Sequence, residues 1–479
     1  MLVQKSSRNL LRPLISQVQC LRNFSTHFRP VKIPDSQKQH ADVLIVGGGI
    51  AGTSLACALA SSDYFSSNDT SKDKLKRIVV LDHTKLPNIK SYQQEGGEAL
   101  KRIPEPRVIT LSPNSLRFLK SIGVVQKCNQ RFITEFMNML VYEEMGNSYM
   151  KFGVKNRQQS ALIQLQESLM KSLLFKSEHS QQVFEESQSH MGASIENNHL
   201  LAGLVERCNE SQKVQIIQKK VVEIYPAKDE HSHLKPIVKL DDGSYIEADL
   251  LIGSDGEKSK VREEYGIHAN GYSYNQNGLV CTVKSIRPNT IAYQRFLRTG
   301  PLALLPLWSD YSSIVWSCHP ELCQHLIDLP ESAFIDALNS ALQKSSDYSL
   351  VGGIFPPQKW QSQQNKFEAP PIIEKLETKR YGFPLSLNLS NNLAANRMAL
   401  IGDAAHRVHP LAGQGMNIGI TGVAFLANSI IKAKKCGYDI GNYDYVLSDY
   451  EKQEKVNAQM MVSSIELVKS SYSEMLLLI

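Results

Sequence analysis

Three short stretches of this chain put glycines and carboxylates where an anionic ligand can be grasped. The first is Gly47-Gly48-Gly49-Ile50-Ala51-Gly52, a G-x-G-x-x-G that follows a β-branched apolar run and opens a small-residue helix. In that setting Gly47 permits a tight turn, Gly49 lets the backbone approach a pyrophosphate, and Gly52 lets the helix pack closely on the strand. The unsatisfied N–H groups at the helix start face the phosphates. Asp82 closes the next apolar run, RIVVLD, where a carboxylate accepts from the hydroxyls of an adenosine ribose. It stands further along than the usual spacing of about 20 residues, and the polar stretch 61–76 accounts for the excess. The motif implies a dinucleotide. By itself it does not separate NAD from FAD.

The second stretch runs Leu250-Leu251-Ile252-Gly253-Ser254-Asp255-Gly256 and on to Arg262. A buried strand delivers Asp255 and Gly256 into a tight turn, where a carboxylate can meet both a ribose and a backbone amide. An ordinary Asp-Gly turn would look the same. The third is Ala399-Leu400-Ile401-Gly402-Asp403, followed by His406, His409, Pro410, Gly413, Gly415, Met416 and Asn417. Pro410, Gly413 and Gly415 make a rigid loop, poor in side chains, that leads into a helix. Backbone N–H groups at such a helix start stabilise negative charge of the kind a reduced flavin develops. His406 and His409 have a spacing open to metal ligands, but no third ligand accompanies them, so no metal is expected. No nucleophile–base pair is evident, as expected where a cofactor carries the chemistry.

These stretches need a scaffold. The chain has 479 residues, enough for two to three domains, and at 42% hydrophobic and 21% charged it can build an ordinary core. The formal net charge of +6 includes several basic residues near the N-terminus, so no nucleic-acid footprint is read from it. The eight cysteines are scattered, without a CxxC pair, which argues against a zinc site, a redox dithiol or a secreted disulfide framework and for buried thiols. Residues 1–34 contain no acid and carry Lys5, Arg8, Arg12, Arg22, Arg29 and Lys32, with Leu10, Leu11, Leu14, Ile15, Val18 and Leu21 at helical spacing. That is the composition of a mitochondrial transit peptide, and Arg22-Asn23-Phe24-Ser25 predicts a mature start near Ser25. Val43–Ala60 is uncharged and about as long as a minimal membrane span, but its crowded glycines read better as strand, turn and helix. No other span is expected.

The expected organisation is a transit peptide and linker over 1–40, the first part of a dinucleotide-binding domain over 41–150, and a polar insertion over 151–190. The second part of that domain follows over 191–270, then a substrate-binding domain with its own sheet over 271–385. The GD-motif segment covers 386–425 and a helical region 426–479. Strands are expected at 42–46, 77–82, 214–222, 236–240, 250–253, 279–283, 301–307, 312–317 and 398–401. A helix is expected at 332–343, 192–208 reads as a turn running into a helix, and 351–379 reads as loop.

In this order the three motifs resemble those of group A flavoprotein monooxygenases of the para-hydroxybenzoate hydroxylase fold. Within that group the chain is similar to the ubiquinone biosynthesis hydroxylases. The closer match lies in Arg107-Val108-Ile109-Thr110-Leu111-Ser112-Pro113-Asn114-Ser115, in Tyr293 to Leu307 and in His409 to Gly415, and it extends from about Ala41 to the C-terminus. The resemblance implies a mixed α/β (α+β) architecture: a Rossmann-like FAD-binding domain, an interleaved mixed-sheet substrate domain and a helical C-terminus. It implies FAD as cofactor. Gly47, Gly49, Gly52 and Asp82 would hold the adenosine diphosphate part and Arg107 would sit near the pyrophosphate. Asp255 and Gly256 would serve both FAD and the reductant, Asp403 the ribityl chain, and the loop from Pro410 to Asn417 would lie against the isoalloxazine.

The implied reaction is transfer of oxygen from O2 to position five of a phenolic ring bearing a polyprenyl tail, so the pocket must continue into an apolar channel. The strand Pro301–Leu307 is a candidate wall. Implied too are a ferredoxin and its reductase as electron donors, association with other coenzyme Q biosynthesis proteins, and a peripheral place on the matrix side of the mitochondrial inner membrane. Two departures stand out. The family carries an acidic residue shortly after Gly419, where this chain has Ile420-Thr421-Gly422-Val423. The family also continues beyond the segment that here ends on Met475 to Ile479, which predicts uncovered apolar surface and poor solubility without a partner or detergent. The competing readings are a flavin reductase that does not activate oxygen and a non-catalytic scaffold within the biosynthetic complex.

Overall fold

The computed structural model describes residues 33–34, 38–65, 77–93, 102–144, 149–154, 190–227, 234–343, 367–410 and 413–474, the side chains of 467–474 excepted. The expected transit peptide, nearly all of the polar insertion and the apolar end Met475 to Ile479 lie outside these residues.

The run Val43 to Val46 in strand β1 (Lys38–Val46) is apolar without alternation, as a strand covered on both faces must be, and all four residues are buried. It pairs in parallel with β2 (Ile78–Asp82), which pairs in parallel with β3 (Val214–Gln218). On the other side lie β4 (Tyr245–Gly253) and then β5 (Met398–Leu400), also mutually parallel. The order β5-β4-β1-β2-β3 reverses direction at β1, and ligands bind such sheets at the carboxyl ends beside the reversal. Helix α1 (Ile50–Ala60) follows the glycine turn. Its small residues let it sink between the sheet, the helix Asn197–Asn209 and the later helix α2 (Gln414–Cys436). The described residues from 39 onward form one compact unit by their contacts.

A small three-stranded sheet joins Val108–Leu111, Gly192–Glu196 and Thr134–Phe136. The second of these was expected as a turn. All five of its residues are buried between two partners, and that pairing, which the composition of Gly-Ala-Ser-Ile-Glu does not announce, makes it a strand.

A larger mixed sheet contains Ala269–Ser285, longer than the expected Leu279–Val283, with Tyr311–Cys318, Gly300–Pro306, Ile291–Leu297 and Tyr381–Ser390. Of its strands, Asn138–Glu143 comes from the stretch assigned to the first nucleotide-binding segment, Tyr149–Gly153 straddles that stretch and the expected polar insertion, and Ile373–Leu376 lies where loop was expected. One face buries Leu140, Tyr142, Leu302 and Leu304 under the helices Pro320–Asp328 and Glu331–Leu342.

Helix α2 is long and apolar enough to span a membrane by length and composition, which the sequence reading had granted only to Val43–Ala60. In the fold 72% of its most apolar window is buried, so it serves as a core helix. It packs against α1 on one side and against α3 (Ser448–Glu474) on the other. Six of the seven described cysteines are buried, and Cys436 is exposed.

Candidate active site

The glycine turn is built by close approach. Gly47 has φ +107°, a left-handed value that disfavours a side chain, and a Cβ there would lie 2.2 Å from the Ser254 carbonyl oxygen. At Gly52 a Cβ would lie 2.1 Å from the Gly47 carbonyl oxygen. Gly49, by contrast, faces open space with nothing within 4 Å, and α1 starts there without a side-chain cap. Asp82 sits beside this turn. Its Oδ2 accepts from the Gly48 N–H at 2.8 Å and its Oδ1 from the Thr84 N–H and hydroxyl.

The second motif docks on the first: the Ser254 N–H donates to the Val46 carbonyl at 2.8 Å. Asp255 Oδ2 accepts from the N–H groups of Lys260 and Val261, at 2.7 and 3.2 Å. Its Oδ1 is buried and has no hydrogen-bond partner among the described residues. An acceptor in that state costs about 1–3 kcal/mol unless something else satisfies it, and a ligand hydroxyl is the kind of group that would. Gly256 follows with φ +86° and an open surround.

The third motif lands on both. The Ile401 N–H donates to the Gly253 carbonyl at 2.9 Å, and Gly402 packs against Ala51 at the start of α1. Asp403 accepts no hydrogen bond among the described residues. Its side chain is open to solvent at the rim of the site, yet the protein crowded around it still pushes its carboxyl above the usual carboxylate range, against the lowering charges of Arg407, His406 and Arg107. Arg107 is exposed, and its carbonyl receives the Asn197 N–H.

The loop is closed by Asn417. Its amide donates to the Thr110 and Gly413 carbonyls at 2.9 and 3.0 Å and accepts from the Ser112 N–H at 2.8 Å. Both amide protons are therefore spent within the protein, which ties the start of α2 to the Arg107–Ser115 segment. Gly413 lies against Thr110, Gly415 against Val408, and Pro410 and Met416 are half-buried. His409 hydrogen-bonds Gln276 at 3.2 Å and meets the Tyr274 ring edge-on.

Several residues that shape this site carry no motif. Glu257 forms an ion pair with Arg407, joining the second motif to the third, and Arg262 donates to the Ala404 carbonyl at 2.9 Å. From α3, Tyr450 donates to the Leu400 carbonyl and Glu454 hydrogen-bonds His406. The signal that points to the last contact is Gly422, a glycine in a helix interior, which marks close approach.

The donors and acceptors suit FAD. Glycines leave room for a pyrophosphate at a helix start, while the orphaned Oδ1 of Asp255 and the solvent-open carboxylate of Asp403, which accepts no hydrogen bond among the described residues, offer acceptors for hydroxyls. A family model described as an FAD binding domain matches residues 99–368 and 357–439. The chain is 31% identical to "Ubiquinone biosynthesis monooxygenase COQ6, mitochondrial" of Caenorhabditis elegans over 95% of this chain and 90% of that one. It is 30% identical to the Homo sapiens protein of the same name, over 90% and 85%. Among solved structures it resembles pqsL, a probable FAD-dependent monooxygenase from Pseudomonas aeruginosa. The TM-score is 0.59 at 18% identity, covering 89% of this chain and 94% of that one. It also resembles p-nitrophenol 4-monooxygenase PnpA from Pseudomonas putida, with a TM-score of 0.54 at 16% identity over 91% and 93%. These two likenesses concern the fold.

Proposed function

This chain belongs to the ubiquinone biosynthesis family of FAD-dependent monooxygenases, and from that membership we propose that it hydroxylates ring position five of a polyprenylated hydroxybenzoate-type intermediate. It is an FAD-dependent monooxygenase of ubiquinone biosynthesis, and a mitochondrial one like the relatives it matches. The observation that carries the reading is the convergence of three motifs at the carboxyl ends of β1, β4 and β5, with the unsatisfied Oδ1 of Asp255 and the solvent-open carboxylate of Asp403 as acceptors.

Bound there, FAD supplies the activation of O2 for transfer to an electron-rich phenolic ring. The chain's residues bind, orient and exclude water. Gly47, Gly49, Gly52 and Asp82 take the adenosine diphosphate half, with Arg107 near the pyrophosphate. Asp255 and Gly256 serve the cofactor and its reduction, and Asp403 accepts from the ribityl hydroxyls. The loop from Pro410 to Asn417 lies along the isoalloxazine, with Gly413, Gly415 and Met416 close to the ring. There the N–H groups at the start of α2 stabilise negative charge, while Asn417 holds the loop's shape.

The larger sheet, with 271–385 as its main contributor, takes the substrate. Register supports an apolar path on its face opposite the helices. Phe296, packed with Val408 and Ile418 beside the loop, shares that face with Ala292, Ala303, Met139 and Val141, out to Met150 and Phe152 at the sheet edge, with Gln294 a polar member in its midst. Met150 and Phe152 are 51% and 40% exposed, which suits a tail that leaves the protein for lipid. Electrons come from a ferredoxin and its reductase. The enzyme works with other coenzyme Q biosynthesis proteins, peripherally on the matrix side of the inner membrane.

The test is expression in mitochondria that lack their own ring hydroxylase, with the product analysed by mass spectrometry under labelled O2. One labelled oxygen at position five is expected. A flavin-loaded protein that makes no such product, or one labelled elsewhere, overturns the reading.

A further inference from the structure

We propose that Glu454 on α3 is a positioning residue for the cofactor: it fills the notch left by Gly422 in α2 and grips His406, so that the turn carrying Asp403 keeps its binding shape. This rests on the reading of Asp403 as the ribityl acceptor.

Gly422 lies well inside a helix, where glycine costs about 1 kcal/mol relative to alanine. A Cβ at that position would stand 2.7 Å from Glu454 Oε1 and 2.8 Å from its Cδ. The missing side chain therefore makes the seat in which this carboxylate rests. Glu454 is fully buried, and its two oxygens are taken by His406 Nε2 and by the Asn457 amide, the latter at 3.1 Å. A carboxylate that deep is tolerated only when paired.

The partner is well placed to matter. His406 follows Asp403 by one short turn and is itself buried. Burial is the largest influence on its imidazole and pulls its pKa down, but the Glu454 hydrogen bond and charge, with the Asp403 charge, together raise it above the usual value. When it carries a proton, the ring in turn favours ionised Asp403. About one helical turn earlier on α3, Tyr450 donates to the Leu400 carbonyl. Helix α3 thus holds the strand before Asp403 and the residue after it. A carboxylate from a different helix thus sits against the stretch after Gly419, where α2 carries no acid of its own.

The experiment titrates apoprotein with FAD by fluorescence, well below each variant's own thermal midpoint, and records that midpoint separately. Glu454→Gln should weaken FAD binding by about tenfold or more. Glu454→Ala should do at least as much, and adding Gly422→Asp to it, which returns a carboxylate to the seat from α2, should recover most of the affinity. A merely structural pair would lower the midpoint and leave FAD affinity unchanged. Wild-type affinity in Glu454→Gln overturns the proposal. So does a folded Glu454→Ala/Gly422→Asp protein that binds no better than Glu454→Ala. If the double variant does not fold, Glu454→Gln decides. Asp403→Asn is measured alongside. Undiminished FAD binding there defeats the ribityl reading, whereas loss there with wild-type binding in Glu454→Gln defeats only the role of Glu454.

Discussion

At the carboxyl end of β1 the chain turns on its own glycines. Gly47 takes a left-handed conformation, Gly52 lies almost on the Gly47 carbonyl, and the nearest carboxylate, Asp82, is one parallel strand away. At the carboxyl end of β5 the turn is held from elsewhere. Tyr450 and Glu454 reach it from α3, Arg262 and Glu257 from the segment after β4, and Ser390 from the larger sheet. The first seat is a product of local backbone geometry, so it should break by steric insult and be insensitive to distant change. The second is a junction of remote side chains, so its occupancy should depend on residues that never touch the ligand.

The largest effect should come from Gly47→Ala. A left-handed residue with a Cβ 2.2 Å from a carbonyl oxygen combines backbone strain with overpacking, roughly 2–6 kcal/mol in all. The apoprotein's thermal midpoint should fall steeply. Gly49→Ala, where nothing lies within 4 Å, should leave that midpoint nearly unchanged and weaken FAD binding instead. Equal destabilisation by the two would refute a seat made by local crowding.

Next comes Asp403→Ala. A charged acceptor for ribityl hydroxyls is worth roughly 1.5–3 kcal/mol, or about 10- to 150-fold in FAD affinity. The purified variant should lack yellow colour while keeping its fold, and full flavin occupancy would show the cofactor to be wrongly placed.

Tyr450→Phe removes the hydrogen bond to the Leu400 carbonyl without emptying the site, so about 1 kcal/mol of stability should go. Flavin retention should fall less than in Glu454→Gln. A larger flavin loss from Tyr450→Phe would reassign the hold on this turn from the His406 side to the strand side.

The smallest effect concerns pH. Asp403 is solvent-exposed, yet the protein crowded around it raises its folded pKa, so the effect is small. The folded apoprotein therefore holds this proton more tightly than the unfolded chain, and stability falls as pH rises from the usual carboxylate range through the folded value. Asp403→Asn should flatten that slope and raise the apoprotein's midpoint near neutral pH while lowering FAD affinity. An unchanged pH profile in the variant would mean that solvent, not the surrounding protein, sets this carboxylate's proton affinity.

Length of interaction in sequence separates what was legible from what was not. The glycine turn, Asp82 and the Asp255 turn are readable because an apolar run, a G-x-G-x-x-G and a terminal carboxylate are neighbours along the chain, and backbone geometry follows from neighbours. Asn417 was legible as a site residue but not as a clasp, since its partners Thr110 and Ser112 lie more than 300 positions away. Gly192–Glu196 was misread as a turn because its strand character comes from two partners rather than from its own residues. The assignment of 41–150 to one unit missed Asn138–Glu143 crossing into the larger sheet, because the pairing of an alternating strand is open until a partner edge exists.

From the sequence alone came the nucleotide motifs, their order, the flavin chemistry they resemble, and Asp403 as a carboxylate at the end of a buried strand. Only the tertiary structure decided what keeps that carboxylate in place. The sequence shows only that no acidic residue follows Gly419 through Val423, while in the fold Gly422 is the space that admits a carboxylate from α3. The physical reason is that a buried charge is tolerable wherever a partner and a fitted seat meet it. Which helix delivers it is settled by packing between segments that are far apart along the chain.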